Sequence, residues 1–229
     1  MTKLLVCLAN SRKHRERCIA GIEIGSRKWI RPVSNRPGHG VSELERQYPS
    51  KVEPKVLDVI SVPLVEARPN DLHRENWLLD STARWSRIGR IGWRELCDLE
   101  QLPTSLWING YHTSAGTNDR IPAEQREAVI DSLKLIRVDG VKMEVSPAHP
   151  MSNDTRPTVR AQFRHAGSEY AVKVTDPICE EKFRTRGLGK YGLGESFLTV
   201  SLSEEFQGNF YKLVAAIVER AEVEPGGRQ

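Results

Sequence analysis

The chain has 229 residues, of which 38% are hydrophobic and 28% charged, and its net charge is +4. This is the composition of an ordinary globular protein, long enough for one large or two small domains. No run approaches the roughly 20 apolar residues of a membrane span, and the apolar stretch 4–9 is far shorter than the core of a secretory signal. We therefore expect a cytoplasmic protein that does not enter a membrane.

The first predicted elements are a buried strand and a basic hairpin. The apolar run 3–8 is typical of a buried strand, and a polar loop follows it. The arms 18–24 and 29–34, joined by a turn that contains glycine, predict a β-hairpin. Residues 10–36 hold eight Lys or Arg against two Glu, which leaves the rest of the chain at −2. Such a footprint suits a phosphate-binding surface, although a solvated basic face without a partner has the same composition.

Trp29 and Arg31 lie on one face of the second arm because strand side chains alternate. A Trp beside an Arg suits a stacking platform with a phosphate clamp. The alternative is a core Trp29 with the Arg31 side chain extending past it to solvent.

The middle of the chain gives weaker signals. The β-branched segment 56–65 predicts a strand, but the first half then shows four strands where an OB-fold needs five. Leu residues at three-residue steps predict a short amphipathic helix within 91–102.

The β pattern returns in the last hundred residues. Segments 133–138 and 141–145 predict strands, and Asp139-Gly140 between them is a hairpin turn signal. Arms 159–165 and 170–176 predict a second hairpin like the first. Further β-rich segments follow at 197–202 and 211–218, the last of which would also suit a short helix.

Residues 187–192 match GxGxxG, but no strand precedes them and no helix follows, so the pattern predicts a flexible loop rather than a nucleotide site. Cations alternate with aromatic rings in and just before this segment, an arrangement suited to a nucleic-acid single strand, because the charges contact phosphates and the rings stack on bases. The residues are Lys182, Phe183, Arg184, Arg186, Lys190 and Tyr191. A solvated loop with Phe183 in the core is the alternative.

Nothing in the sequence points to catalysis. The six histidines are dispersed, and the four cysteines form no CxxC pair. Asp176, Glu180 and Lys182 faintly resemble a metal-dependent nuclease, but their spacing does not suit a pair of strands. We expect no catalytic residue, no metal and no cofactor.

The predicted fold is mainly β (α+β): two small OB-like β-barrels in tandem, with a helix-containing insertion between them. Residues 1–130 form the first domain with its Trp-rich extension, 131–221 form the second, and 222–229 form a disordered tail.

Six segments, which together extend over most of the chain, carry a resemblance to a known family. They are 8–13 (LANSRK), 18–21 (CIAG), 29–34 (WIRPVS), 174–177 (VTDP), 199–204 (TVSLSE) and 211–216 (YKLVAA). These segments resemble bacterial dual OB-domain-containing proteins. The resemblance implies two OB-like barrels and a nucleic-acid-binding role connected with bacterial conflict or phage defence, and it implies no catalytic residues.

These observations favour a non-catalytic protein that binds nucleic acid, DNA or RNA, with single strands preferred. The alternatives are a protein–protein interaction module, since OB barrels also bind proteins, and a metal-dependent nuclease. The predicted nucleic-acid contacts are Asn10, Ser11, Arg12, Lys13, Arg15, Arg17, Trp29, Arg31, Lys182, Arg184, Arg186, Lys190 and Tyr191.

Overall fold

The computed structural model describes residues 1–13, 16–148 and 154–225, with Lys13 described by its backbone alone. Contacts divide the chain into two units, Met1–Glu100 and Gln101–Gln229. Within the described ranges no helix is both long enough and apolar enough to cross a membrane.

The strands of the first unit close into a barrel. Strand β1 pairs with β2 and with β4, β2 with β3, and β5 lies between β3 and β4. The pairing of β3 with β5 is parallel, and the others are antiparallel. The elements are β1 (Thr2–Lys13), β2 (Glu16–Glu23), β3 (Trp29–Val33), α1 (Glu43–Arg46), β4 (Asp58–Ala67), β5 (Asn76–Leu79), β6 (Ser86–Arg90) and α2 (Trp93–Cys97).

A bulge at Leu8 lets β1 serve two partners. Residues 2–6 pair with β4, and the register of β1 against β2 shifts between Cys7 and Ala9. A bulge bends a strand and increases its twist, which closure of a small barrel requires. Inward-facing residues of the strands, among them Leu5, Ile19, Ile30 and Ile60, form the core with Trp85.

The fifth strand that the sequence did not reveal is β5. It has only four residues and begins with Asn76, so it lacks the length and the β-branched composition of a recognisable strand. Its parallel pairing with β3 places Trp77 opposite Pro32. Distant partners therefore define this strand.

The second unit is also built mainly from strands. Its elements are β7 (Arg120–Pro122), a 3₁₀-helix (Ala123–Ala128), β8 (Leu133–Val138), β9 (Val141–Ser146), β10 (Thr158–His165), β11 (Ser168–Val174), α3 (Pro177–Arg184), β12 (Gly189–Leu193), β13 (Ser196–Leu202), β14 (Asn209–Glu219) and α4 (Arg220–Val223).

The prediction of a hairpin at Asp139-Gly140 is wrong, because β8 and β9 pair with different neighbours. Strand β8 pairs with β13, whereas β9 pairs with β10 and β12. Asp139 and Gly140 therefore interrupt one long strand that serves two partners, as β1 does in the first unit. Counted as one strand, β8–β9 gives this unit the strand order of the first, including a parallel pair, β11 with β14.

The two predicted hairpins are confirmed and occupy equivalent places. The first is β2–β3 and the second is β10–β11, so each unit contains one. In the second, Ala166 and Gly167 both have positive φ, 46° and 79°. Positive φ at both central residues is the geometry of a two-residue type I′ turn, which matches the twist of the strands.

Residues 187–192, predicted as a flexible loop, are instead the end of a turn and most of strand β12, and helix α3 precedes that turn. Asp176 accepts hydrogen bonds from the backbone N–H groups of Ile178 and Cys179, which begins α3 at Pro177. Strand β12 then pairs with β9 from Gly189 to Leu193. The glycine pattern concealed this pairing because glycine disfavours strand interiors.

The boundary between the two units lies after Glu100, before the predicted division at 130, so residues 101–130 belong to the second unit. Strand β7 pairs with β14, and the Lys212 ammonium donates to the carbonyl oxygen of Ile108 at 2.7 Å. At the end of the chain, α4 includes the first residues of the predicted tail 222–229, and residues 226–229 lie outside the described ranges.

Candidate functional site

The far end of the β1–β2 arm carries two arginines directly opposite each other. Arg12 of β1 is the cross-strand partner of Arg17 of β2, and both side chains are half-buried. Opposed side chains in an antiparallel pair lie about 5 Å apart at Cβ. The register therefore places two guanidinium-bearing side chains beside each other at this end of the arm.

The strand register shows which face these arginines occupy. Asn10 is the partner of Ile19, a core residue, and alternation places Arg12 and Arg17 on that same face. The Asn10 amide donates to the carbonyl oxygen of Pro54 at 2.8 Å, which ties the arm to the segment before β4. Ser11 faces the other way and is buried, with its hydroxyl donating to the Cys18 carbonyl.

Two carboxylates near this end of the arm, those of Glu53 and Glu16, form ion pairs with other arginines. Arg46 forms an ion pair with Glu53 at 2.7 Å, and this bond, with a smaller contribution from Arg17, lowers the pKa of Glu53. Glu16, the acid nearest the end of the arm, is paired with Arg36. Of the other predicted contacts here, Arg15 and the side chain of Lys13 lie outside the described residues.

The predicted phosphate clamp at Arg31 is engaged within the fold. Trp29 and Arg31 do share a face of β3, and Trp29 is half-buried. Arg31 is only 7% exposed, however, and its guanidinium lies 2.9 Å from the Glu75 carboxylate. The ion pair neutralises Arg31, so we leave it out of the binding surface.

The second predicted group, in the second unit, is a set of structural contacts. Arg184 bonds to Glu180 at 2.5 Å and to the Pro157 carbonyl oxygen at 2.8 Å. Lys182 pairs with Glu222, and Lys190 lies 3.6 Å from Glu144. Carboxylates or a carbonyl oxygen therefore already hold these three cations.

Tyr191 stabilises the turn between α3 and β12. Its hydroxyl donates to the carbonyl oxygens of both Arg186 and Gly187, at 2.7 and 2.9 Å. The Arg186 guanidinium lies 4.1 Å from the centre of the Tyr191 ring, and the Phe183 ring packs at 5.8 Å. Phe183 itself is 1% exposed, as the alternative interpretation of this segment had it. One face of Tyr191 is thus occupied.

A further basic group escaped the sequence prediction. Residues 84–94 contain four arginines and no acidic residue, a signal that the Trp-rich composition obscured. Two of them, Arg87 and Arg90, converge on one carboxylate: Arg87 Nε and Arg90 Nη1 each lie 3.1 Å from Asp58 Oδ1. Both guanidiniums remain about half exposed.

The carboxylates that suggested a nuclease each have a structural partner. Asp176 caps α3, and Glu180 pairs with Arg184. In the part of the chain that the structure describes, no three His, Cys, Asp or Glu residues come together as metal ligands would.

The geometry and the comparisons with known proteins agree on the fold. The five barrel strands of the first unit follow the order β1, β2, β3, β5, β4, and the corresponding order in the second unit is β8–β9, β10, β11, β14, β13. In both units one pair is parallel, β3 with β5 and β11 with β14, and a helix, α1 or α3, lies between the third and fourth of these strands in chain order. The model of a family described as a dual OB-containing domain matches residues 3–217. No curated protein and no solved structure matched the chain. Since that match extends over nearly the whole length, the chain belongs to the dual OB-containing domain family.

Proposed function

We propose that this protein binds nucleic acid without catalysing a reaction on it, and that single strands are its preferred ligand. The observation that carries the proposal is the Arg12/Arg17 pair at the end of the β1–β2 arm. Two guanidiniums side by side present several N–H donors, and their fork geometry matches the oxygens of a phosphate through charge-assisted hydrogen bonds.

The fold supports the same conclusion. OB-folds commonly bind oligonucleotides, and they combine a basic groove along the backbone with rings on which bases stack. Trp29 of β3 stays a predicted stacking residue, but it pairs with Ile22 at the opposite end of β2 from Arg17 and lies on the other face, so it is a contact apart from the arginine pair. Lys13 and Arg15, which are close to the arginine pair in the sequence, complete the proposed contact set.

The role that follows is recognition, with the chemistry left to partners. Membership of the family suggests an accessory recognition factor of a bacterial conflict or phage defence system, acting in the cytoplasm. The nuclease alternative is weaker, because Asp176 and Glu180 both have structural partners.

The test is a titration with labelled single- and double-stranded DNA and RNA at two salt concentrations. Because phosphate contacts release counterions, log K should fall linearly with log salt, with a slope of about −0.7 per contact on a single strand. Tighter binding of a duplex would contradict the preference for single strands. Absence of binding at low salt would overturn the function and leave the protein-interaction alternative.

A further inference from the structure

Asp58 holds two arginines of β6 in one place. Its Oδ1 accepts from Arg87 Nε and Arg90 Nη1, each at 3.1 Å. Its Oδ2 accepts from the backbone N–H of Lys55 at 3.0 Å and the hydroxyl of Tyr48 at 3.4 Å. The Asp58 side chain is 4% exposed, and its carboxylate accepts these four hydrogen bonds from groups of the protein.

A bulge in β6 makes this convergence possible. Arg90 is the partner of Asp58, Gly89 of Val59 and Arg87 of Ile60, so Ile88 is an extra residue. Residues three apart in a regular strand point to opposite faces, but the extra residue restores Arg87 to the face of Arg90 and Asp58. Bulges often re-aim a side chain beside a functional site.

The local charge favours an anion. One carboxylate against two guanidiniums leaves a net +1, and the surrounding segment 81–94 contains no acidic residue. The Arg87 and Arg90 side chains are 51% and 45% exposed, and each guanidinium has five N–H donors of which Asp58 takes one. Donor groups held in position on a half-exposed surface lose little freedom when a ligand binds.

We propose that Arg87 and Arg90 form a second phosphate-binding site, which contacts the backbone of the nucleic acid. This inference rests on the proposed function for the identity of the ligand, while the geometry alone supports the phosphate chemistry. Guanidinium forks match the oxygen geometry of phosphate, which is why Arg dominates such sites. The site lies on β6 and β4, whereas the opposed arginines lie on β1 and β2.

The experiment compares wild type with Arg87→Gln/Arg90→Gln and with a control of equal charge change, Lys51→Gln/Arg164→Gln, whose two residues are exposed. With an oligothymidine of about 20 nucleotides, loss of two phosphate contacts should reduce the salt slope by about 1.4 and weaken binding about 20-fold at roughly 0.1 M salt. Affinity and slope equal to those of the control would overturn the site.

A charge-retaining variant is the second measurement, because Gln at both positions leaves the buried Asp58 carboxylate without its cations and lowers the stability of the protein. Arg87→Lys/Arg90→Lys keeps the charge and loses the paired forks. It should bind about fivefold more weakly with an unchanged salt slope. Binding as tight as that of wild type would contradict the proposal.

Pyrophosphate separates the site from the proposed function. If wild type binds no oligonucleotide, the proposed function is wrong, and thermal unfolding with added pyrophosphate then decides the site alone. Stabilisation of wild type that Arg87→Gln/Arg90→Gln or the Lys variant reduces would assign the pair to another phosphate ligand. Equal responses of wild type and both variants would overturn the pair as a site.

Discussion

Arg31 of β3 and Glu75, just before β5, form an ion pair of 2.9 Å in which both side chains are more than nine-tenths buried. The Arg31 backbone N–H also donates to the Glu75 carbonyl oxygen at 2.8 Å. These bonds join β3 to the start of the short parallel strand that the barrel needs for closure.

Removing one member of this pair should strongly destabilise the first unit. Glu75→Gln leaves a buried guanidinium without its counterion, and such losses cost about 3–5 kcal/mol in free energy of unfolding. The control is Glu169→Gln, which removes the exposed pair of Arg164 and Glu169 at 3.8 Å and should cost less than about 1 kcal/mol. Urea unfolding measures both, and equal effects would contradict a structural role for Arg31.

Loss of the opposed arginines should weaken nucleic-acid binding. Arg12→Gln/Arg17→Gln should reduce the salt slope on a single strand by about 1.4, because two phosphate contacts are lost. The matched control is Arg27→Gln/Lys28→Gln, in the turn at the other end of β2, and it should affect binding less. Unchanged affinity and slope in the Arg12/Arg17 variant would show a solvated basic face.

Tyr191→Ala should lower stability rather than affinity. The ring packs on Phe183 and Arg186, and its hydroxyl holds the turn after α3, so truncation should cost about 2 kcal/mol of unfolding free energy. Tyr111→Ala is the control, because the Tyr111 hydroxyl makes no hydrogen bond with the described residues. Normal stability with about tenfold weaker binding would instead favour the stacking role that the sequence suggested.

Lys212 should make the stability of the second unit depend on pH. Burial lowers the pKa of its ammonium from 10.5 to about 7, although the Asp119 carboxylate opposes that shift. Between pH 7 and about 10 the unfolded chain therefore binds more protons at this residue than the folded chain does. Stability rises with pH wherever this holds.

The measurement is the difference in unfolding free energy between wild type and Lys212→Met at two pH values. From pH 7 to 9 it should shift in favour of wild type by about 2 kcal/mol. Lys173→Met, at an exposed position on β11, is the control and should show no such shift. A constant difference for Lys212→Met would contradict the lowered pKa.

Local sequence determined the features that depend on neighbouring residues. Turn residues with positive φ, such as Ala166 and Gly167, close the hairpins. Ser42 and Glu45, three residues apart, form a capping box at the start of α1. The basic composition of the first arm was equally visible, as was the resemblance that the family match confirms.

Only the tertiary structure decided which residues meet across long separations. Asp139-Gly140 has the composition of a hairpin turn, but β8 pairs with β13 and β9 pairs with β10, so β8 and β9 form no hairpin with each other. Arg31 looks like a phosphate ligand until Glu75 neutralises it. Arg87 and Arg90, three apart, share a face because β6 bulges against β4. Pairing register and burial depend on contacts between distant segments, and local propensity does not contain them.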